Sequence, residues 1–253
     1  MMKKLMKKPV LLLVVAAILL LVSSVGSTQA ALTYYSENYM AEVNVANIGI
    51  TLLENSKIVD YRNYLKDGKW DTKGSDMQQL TLLELEEGEK LIPGKTYDEV
   101  LQVKNSGAID TYVRVIITKS WKDANGKDTS LTPAYIELNV PTGNGWIKDE
   151  TASTTEREVY YYTQVLPADN EKEDGSNITA ALTDTFRINP IVAKELIQTT
   201  TDNVITYEYK YDGYQSVVEV EVDAVQTHNA KDANKSAWGV DVTVAADGSL
   251  SLN

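Results

Sequence analysis

The chain of 253 residues contains no cysteine, one histidine and one phenylalanine. Without cysteine, no disulfide bond can stabilise the fold and no thiol nucleophile is available. Zinc sites with two or more histidine or cysteine ligands are likewise excluded. We therefore predict no metal site and no cofactor, and we expect the stability of the fold to come from its hydrophobic core.

The single histidine, His228, offers little chemistry by itself. A Ser-His-Asp triad would need it, but the sequence has no Gly-x-Ser-x-Gly motif to expose a serine nucleophile. The His-Glu-x-x-His motif of zinc proteases is also absent. We interpret His228 as a half-exposed residue that follows a strand, and we predict that the protein is not an enzyme.

The first 30 residues have the pattern of a secretory signal peptide. Four lysines stand near the start: Lys3, Lys4, Lys7 and Lys8. The following 17 residues, 9–25, are apolar except for two serines, and small residues come next. A permanent membrane anchor needs about 20 apolar residues, so we expect cleavage, after Ala30 or Ala31. An uncleaved N-terminal anchor is the alternative.

Basic residues are few after this segment. The chain has 24 basic and 36 acidic side chains; four of the basic ones lie in residues 1–30, so residues 31–253 carry 20 minus 36, a net charge of −16. Nucleic-acid binding needs clustered lysine and arginine, so we predict no nucleic-acid partner. We expect the membrane to be met only through the signal peptide. Divalent cations or a basic surface are more plausible partners.

Apolar residues recur with a period of two from residue 43 onward, as in strands with one buried face. In the clearest stretch, Val218, Val220 and Val222 alternate with Glu219 and Glu221. Further strands are predicted at residues 48–54, 98–104, 111–118, 135–140, 159–165, 205–211 and 239–245. This pattern predicts an all-β fold, a jelly-roll-like antiparallel β-sandwich with short helical and loop insertions, as one domain over residues 31–253.

Turn residues between these strands predict two hairpins. Asp212 and Gly213 lie between the alternating stretches 205–211 and 218–224, and Asp-Gly supplies the positive φ angles of tight turns. The sequence Asn105-Ser106-Gly107 similarly predicts a hairpin over residues 97–118.

The remaining segments are short helices and loops. Residues 191–198 and 229–238 have helical patterns, and residues 57–76, 123–132 and 168–177 are polar and rich in turn formers, which predicts loops. Asp123, Asn125 and Asp128, or the acidic residues 169–174, could supply oxygen ligands to calcium. Neither segment has EF-hand spacing, so we predict no dedicated site.

Tyrosine is abundant, with 15 residues. A tyrosine ring packs on a sheet while its hydroxyl reaches water, which suits half-buried faces and wet interfaces. Three of them, Tyr160, Tyr161 and Tyr162, must point to both faces of one strand. The outer face is then either an interface or a surface that a loop covers.

Several segments resemble those of a known family in order and spacing. The N-terminal segments are Gly26-Ser27-Thr28, Tyr34-Tyr35-Ser36, Asn44 and Ile48-Gly49-Ile50-Thr51-Leu52. The central segments are Leu91-Ile92-Pro93-Gly94-Lys95, Val103-Lys104-Asn105-Ser106-Gly107 and Tyr112-Val113-Arg114-Val115. The last are Ala224-Val225-Gln226 and Ala237-Trp238. Together they resemble the TasA and camelysin family, whose signal peptides are removed by the SipW-type peptidase.

The resemblance implies a jelly-roll-like domain, secreted to the matrix or surface of a Gram-positive-type bacterium, that forms biofilm matrix or cell-surface fibres by self-association. An accessory matrix or anchor protein is a further possible partner. Camelysin is classed as a surface metalloprotease, so a protease is one alternative function, which the single histidine disfavours. A monomeric secreted adhesive or binding domain is another.

Cleavage would leave an N-terminal arm, residues 31–47, ahead of the first strand. The arm is rich in β-forming residues. The residues expected to face inward change from the odd-numbered Val43 and Val45 in the arm to the even-numbered Ile48, Ile50 and Leu52 in the strand that follows. A free strand of this kind can add to the open edge of a neighbouring sheet. We therefore predict assembly by strand addition through this arm; the alternative is that the arm pairs within its own domain as an edge strand. Its candidate contact residues are Leu32, Tyr34, Tyr35, Val43 and Val45.

Overall fold

The computed structural model describes residues 48–64, 68–73, 78–79, 90–168, 174–202 and 204–253. Within these ranges the chain is all-β apart from one α-helix, α1 (Ala230–Trp238), and two 3-10 turns, Pro133–Tyr135 and Pro190–Ala193. The strands in chain order are β1 (Gly49–Glu54), β2 (Lys57–Tyr64), β3 (Trp70–Lys73), β4 (Gln78–Gln79), β5 (Thr96–Asp98), β6 (Leu101–Asn105), β7 (Thr111–Asp123), β8 (Gly126–Lys127), β9 (Ile136–Asn139), β10 (Trp146–Lys148), β11 (Arg157–Tyr162), β12 (Thr185–Ile188), β13 (Leu196–Thr201), β14 (Val204–Tyr209), β15 (Gln215–Gln226), β16 (Val242–Val244) and β17 (Leu250–Leu252).

Antiparallel pairing joins these strands into three sheets and two separate hairpins. Sheet 1 has the order β3-β2-β1-β6, and sheet 2 the order β10-β11-β7-β15-β4 with β8 paired to β7. Sheet 3 has the order β5-β12-β9, and the hairpins are β13–β14 and β16–β17. The antiparallel all-β class that the alternation predicts is confirmed.

One hydrophobic core is shared by the three sheets. Val115 and Ile117 of β7 meet Leu101 and Val103 of β6 and Phe186 of β12, and all five side chains are almost completely buried. Full burial of such a side chain contributes about 1.5–3 kcal/mol. The inward placement of alternate residues in β7 and β15 follows directly from the period of two in the sequence.

The opposite face of sheet 2 has a second core. Tyr112, Ile116 and Tyr161 lie beneath α1 and the β16–β17 hairpin, which contribute Val242 and Leu250. The strand β7 is therefore buried on both faces. The outer side of the tyrosine triplet is covered from within the chain, by the helix and hairpin, so it is not an interface.

The hairpin predicted over residues 97–118 is wrong. β6 pairs with β1 in sheet 1, whereas β7 pairs with β11 and β15 in sheet 2. The intervening turn carries the chain from one sheet to the other, and the fully buried Asn105 holds it. Its side-chain amide donates to the carbonyl oxygens of Ile109 (2.8 Å) and Leu166 (3.0 Å). The turn also packs closely on β1, since a Cβ atom at Gly49 would lie 2.8 Å from the Gly107 nitrogen.

The hairpin predicted across Asp212 and Gly213 is also wrong. Gly213 does have the expected positive φ of 79°. However, β14 pairs with β13, whereas β15 pairs with β7 along its whole length. Val218 of β15 is completely buried in the first core, whereas Tyr207 of β14 is 60% exposed.

Three smaller predictions need correction. Residues 57–76 are not wholly a loop, because β2 and β3 lie there and extend sheet 1. The strand predicted at 98–104 is interrupted at Glu99 and Val100, which separate β5 of sheet 3 from β6 of sheet 1. The helix predicted at 191–198 is a 3-10 turn followed by β13, whereas the helix predicted at 229–238 is confirmed as α1.

Candidate functional site

A groove of about 660 Å³ lies between sheet 1 and strand β15 of sheet 2. Strands β1, β2 and β3 form one wall, and β15 forms the other. The lining residues are Ile50, Leu52, Asp60, Tyr61, Arg62, Thr72, Lys73, Val220, Glu221, Val222 and Asp223. A concave space between two sheets, with main chain along one side, is suited to an extended peptide.

The groove is apolar at its floor and charged at its rim. Leu52 and Val220 belong to the first core, with 4% and 1% of their surface exposed, and Ile50 and Val222 pack against that core. Across sheet 1, Ile50 is paired with Arg62, which is paired with Thr72, so polarity increases from β1 toward β3. Apolar side chains of an added strand could therefore be buried deep in the groove, with polar ones left at the rim.

One edge of β15 borders this groove. On the opposite edge β15 pairs with β7 from Gln215 to Gln226. On the groove side, β4 pairs with Glu219 and Val220, and within the described part of the chain no strand follows along residues 222–226. A sheet edge presents main-chain N–H and C=O groups that can pair with another strand.

The predicted assembly and processing residues cannot be placed relative to the groove. The signal peptide, residues 1–30, and the arm, residues 31–47, lie outside the described residues. The same applies to the individual residues Ala30, Ala31, Leu32, Tyr34, Tyr35, Val43 and Val45. No helix in the described ranges has the length and hydrophobicity to span a bilayer.

The residues considered for catalysis and metal binding are not brought together. His228 is exposed in the turn between β15 and α1. Asp123 accepts hydrogen bonds from Asn125, and Asp128 accepts one from the Tyr214 hydroxyl at 2.8 Å. Among the described residues no three acidic or histidine side chains form a group that could hold a metal ion. Most of the acidic segment 169–174 lies outside the described residues.

Two buried carboxyl groups, which the sequence analysis did not single out, lie side by side. Glu99 is 0% exposed and Glu54, at the end of β1, is 3% exposed. Asn55 links the two segments, because its Oδ1 accepts from the Val100 N–H (2.9 Å) and its Nδ2 donates to Glu99 Oε2 (3.4 Å). Burial, and then the charge of Glu54, raise the pKa of Glu99 to about 8. The folded protein therefore favours the protonated form of Glu99.

Comparison of the chain with models of protein families, with curated proteins and with solved structures finds no match.

Proposed function

We propose that this protein is a secreted structural subunit of extracellular fibres, in a biofilm matrix or on a bacterial cell surface, and that its subunits polymerise by strand addition. Residues 32–45 of one copy add to the groove-side edge of β15 in the next copy. The proposal includes a cleaved N-terminal signal helix and a jelly-roll-like sandwich that presents this edge. It also includes an accessory matrix or anchor protein that completes the fibre at the cell.

The observation that carries the proposal is the groove beside the β15 edge. Its floor is apolar at Ile50, Leu52 and Val222, and residues 222–226 have no partner strand within the described ranges. An added strand would gain main-chain hydrogen bonds from the edge and burial of alternate side chains from the floor. Because the donor arm and the acceptor edge are different surfaces, addition is head-to-tail, and it gives an open filament when its rotation does not close into a ring.

Charge provides control over this assembly. Residues 31–253 carry a net charge of −16, so copies repel each other at low ionic strength. Salt screens this repulsion over about 10 Å at 0.1 M, and acid reduces the charge itself. Assembly should therefore accelerate with added salt or at lower pH.

Deletion of residues 32–38 tests the proposal. The truncated mature protein should form no filaments under conditions in which the wild type forms them, because the donor strand is lost while the groove remains. Negative-stain electron microscopy and sedimentation measure the outcome. Mixed with the wild type in equal amounts, the truncated protein should also shorten the filaments, since it accepts a donor strand but offers none. Filaments of the truncated protein at the wild-type rate would contradict the proposal.

Substitution of His228 separates the fibre function from the protease alternative. His228→Ala should leave filament formation, thermal stability and surface phenotype unchanged, because His228 is exposed and has no nucleophile elbow or metal partners in the described chain. Casein hydrolysis by the wild type that is lost in this variant, at an unchanged thermal midpoint, would instead support a hydrolase.

A further inference from the structure

The hairpin β13–β14 differs from every other paired element described here, because all twelve of its residues are exposed. Its six cross-strand pairs run without a bulge from Leu196 opposite Tyr209 to Thr201 opposite Val204. The other two-stranded element, β16–β17, buries Val242 and Leu250 against the second core. An isolated hairpin is only marginally stable in water, so the exposure of β13–β14 needs an explanation.

The two faces of this hairpin are chemically different. Directly paired residues share a face and alternate residues along a strand share a face. One face, called the tyrosine face below, therefore carries Leu196, Gln198, Thr200, Ile205, Tyr207 and Tyr209. Its four large apolar side chains are 51–60% exposed. The opposite face carries Ile197, three threonines, Val204 and Glu208.

The base of the hairpin is held firmly on the core. Glu195 precedes β13 and accepts from Lys210 Nζ (3.0 Å) and from the Tyr135 hydroxyl (2.8 Å). Tyr211, just after β14, is buried with its ring centroid 4.9 Å from that of Trp121. The hairpin thus projects from an ordered base, and its tyrosine face is exposed to solvent.

The distribution of charge indicates what covers this face. Residues 31–253 carry a net charge of −16, so two copies can approach only where charge is sparse. β13 has no charged residue, and the tyrosine face has none at all. A face without charge is compatible with a second copy of itself, related by a twofold axis, as in other symmetric interfaces.

The area of the tyrosine face indicates in which kind of assembly it can form a stable contact. Six residues at about 3.4 Å each and two strands about 4.8 Å apart give a face of roughly 200 Å². A stable interface buries roughly 800 Å² per partner, so one such contact does not hold a dimer together. Along two filaments, however, the same contact is repeated, and each further contact avoids the entropy cost of bringing two free molecules together.

We infer that the tyrosine face packs on the tyrosine face of a second copy and joins neighbouring filaments side by side. The inference rests on the proposed fibre function but concerns a different surface from the donor groove. Filament formation and filament bundling are therefore separate outcomes.

The test introduces charge on one face at a time. Ile205→Glu combined with Tyr207→Glu places two carboxylates on the tyrosine face. The matched control, Val204→Glu combined with Thr206→Glu, makes the same change in charge and spacing on the opposite face of the same strand. Electron microscopy should show single filaments of wild-type length for the first variant and wild-type bundles for the control. Bundling of the first variant as in the wild type would overturn the inference.

A second measurement does not need filaments. Sedimentation velocity of the mature protein without polymerisation, at increasing concentration, should reveal weak self-association that falls at least about tenfold in the tyrosine-face variant and not in the control, because a carboxylate is poorly accommodated in an apolar contact. If the wild type forms no filaments but still shows this weak self-association, the fibre function is contradicted and the contact between tyrosine faces is not. Wild-type filaments that bundle only after addition of cell-wall polysaccharide would assign the face to a glycan and refute the inference.

Discussion

Glu99→Gln should raise the free energy of unfolding at pH 8 by several kcal/mol and should flatten its dependence on pH. In the folded protein the buried Glu99 has a pKa raised from 4.5 to about 8, first by burial and then by the charge of Glu54. The neutral form is therefore favoured in the fold, while the unfolded chain ionises near pH 4.5. Glutamine is neutral at every pH and nearly the same shape.

The sign of the effect follows from proton binding. Between pH 4.5 and 8 the folded state of the wild type holds a proton on Glu99 that the unfolded state has released. The contribution of Glu99 to stability is thus fully present below about pH 4.5 and is lost as the pH rises toward 8. Each unit of pKa difference corresponds to about 1.4 kcal/mol, so the loss over this window is about 5 kcal/mol.

Urea denaturation followed by tryptophan fluorescence from pH 4.5 to 9 measures this prediction. Glu54→Gln should reduce the dependence on pH without removing it, because burial is the larger cause of the raised pKa. Glu208→Gln, at an exposed site on β14, serves as the matched control. If the stability of Glu99→Gln falls with rising pH as steeply as that of the wild type, the assignment is wrong.

Asn105→Ala should destabilise the protein by about 3 kcal/mol. The Asn105 side chain is fully buried; it donates to two carbonyl oxygens and accepts from the Gly107 N–H at 2.9 Å. A buried polar group left without a partner costs about 1–3 kcal/mol, and the substitution removes the partner of the Gly107 N–H and of the Ile109 carbonyl. The turn between sheets 1 and 2 loses its fixed geometry.

The matched control is Asn139→Ala, since Asn139 is exposed and makes one side-chain hydrogen bond, to Asp184. Its substitution should change stability by less than about 1 kcal/mol. Asn105→Asp keeps the acceptor for Gly107 but points a carboxylate at the carbonyl oxygens of Ile109 and Leu166, so it should be destabilising as well. An Asn105→Ala variant as stable as the Asn139→Ala control would refute the role given to Asn105.

Most strands could be predicted from the sequence because their signal is local. Alternation of valine with acidic residues in β15 reflects the period of two of a half-buried strand, and the apolar stretch of β7 is typical of a strand buried on both faces. The helix α1 was likewise predicted from its own residues. The strands β2 and β3 were missed because neither alternates regularly between buried and exposed residues: β2 is half-buried at most of its described positions, and all of β3 is exposed.

Strand partners could not be predicted from the same signals. Asn105-Ser106-Gly107 and Asp212-Gly213 do reverse the chain, but a reversal does not specify whether the next strand pairs with the previous one or crosses to another sheet. That choice depends on contacts distant in sequence, such as Asn105 with Leu166. The exposure of Tyr207 in β14 depends on the same choice.

The sequence by itself determined the all-β class, the burial of alternate residues and the unsuitability of a lone histidine for zinc catalysis, because each depends on residue type and near-neighbour spacing. Only the tertiary structure decided that β15 borders a groove with sheet 1, that the tyrosine face of β13–β14 is exposed, and that Glu54 and Glu99 are buried together. Each of these depends on how separate segments of the chain pack or fail to pack on one another, and the free energy that selects such packing belongs to the core as a whole.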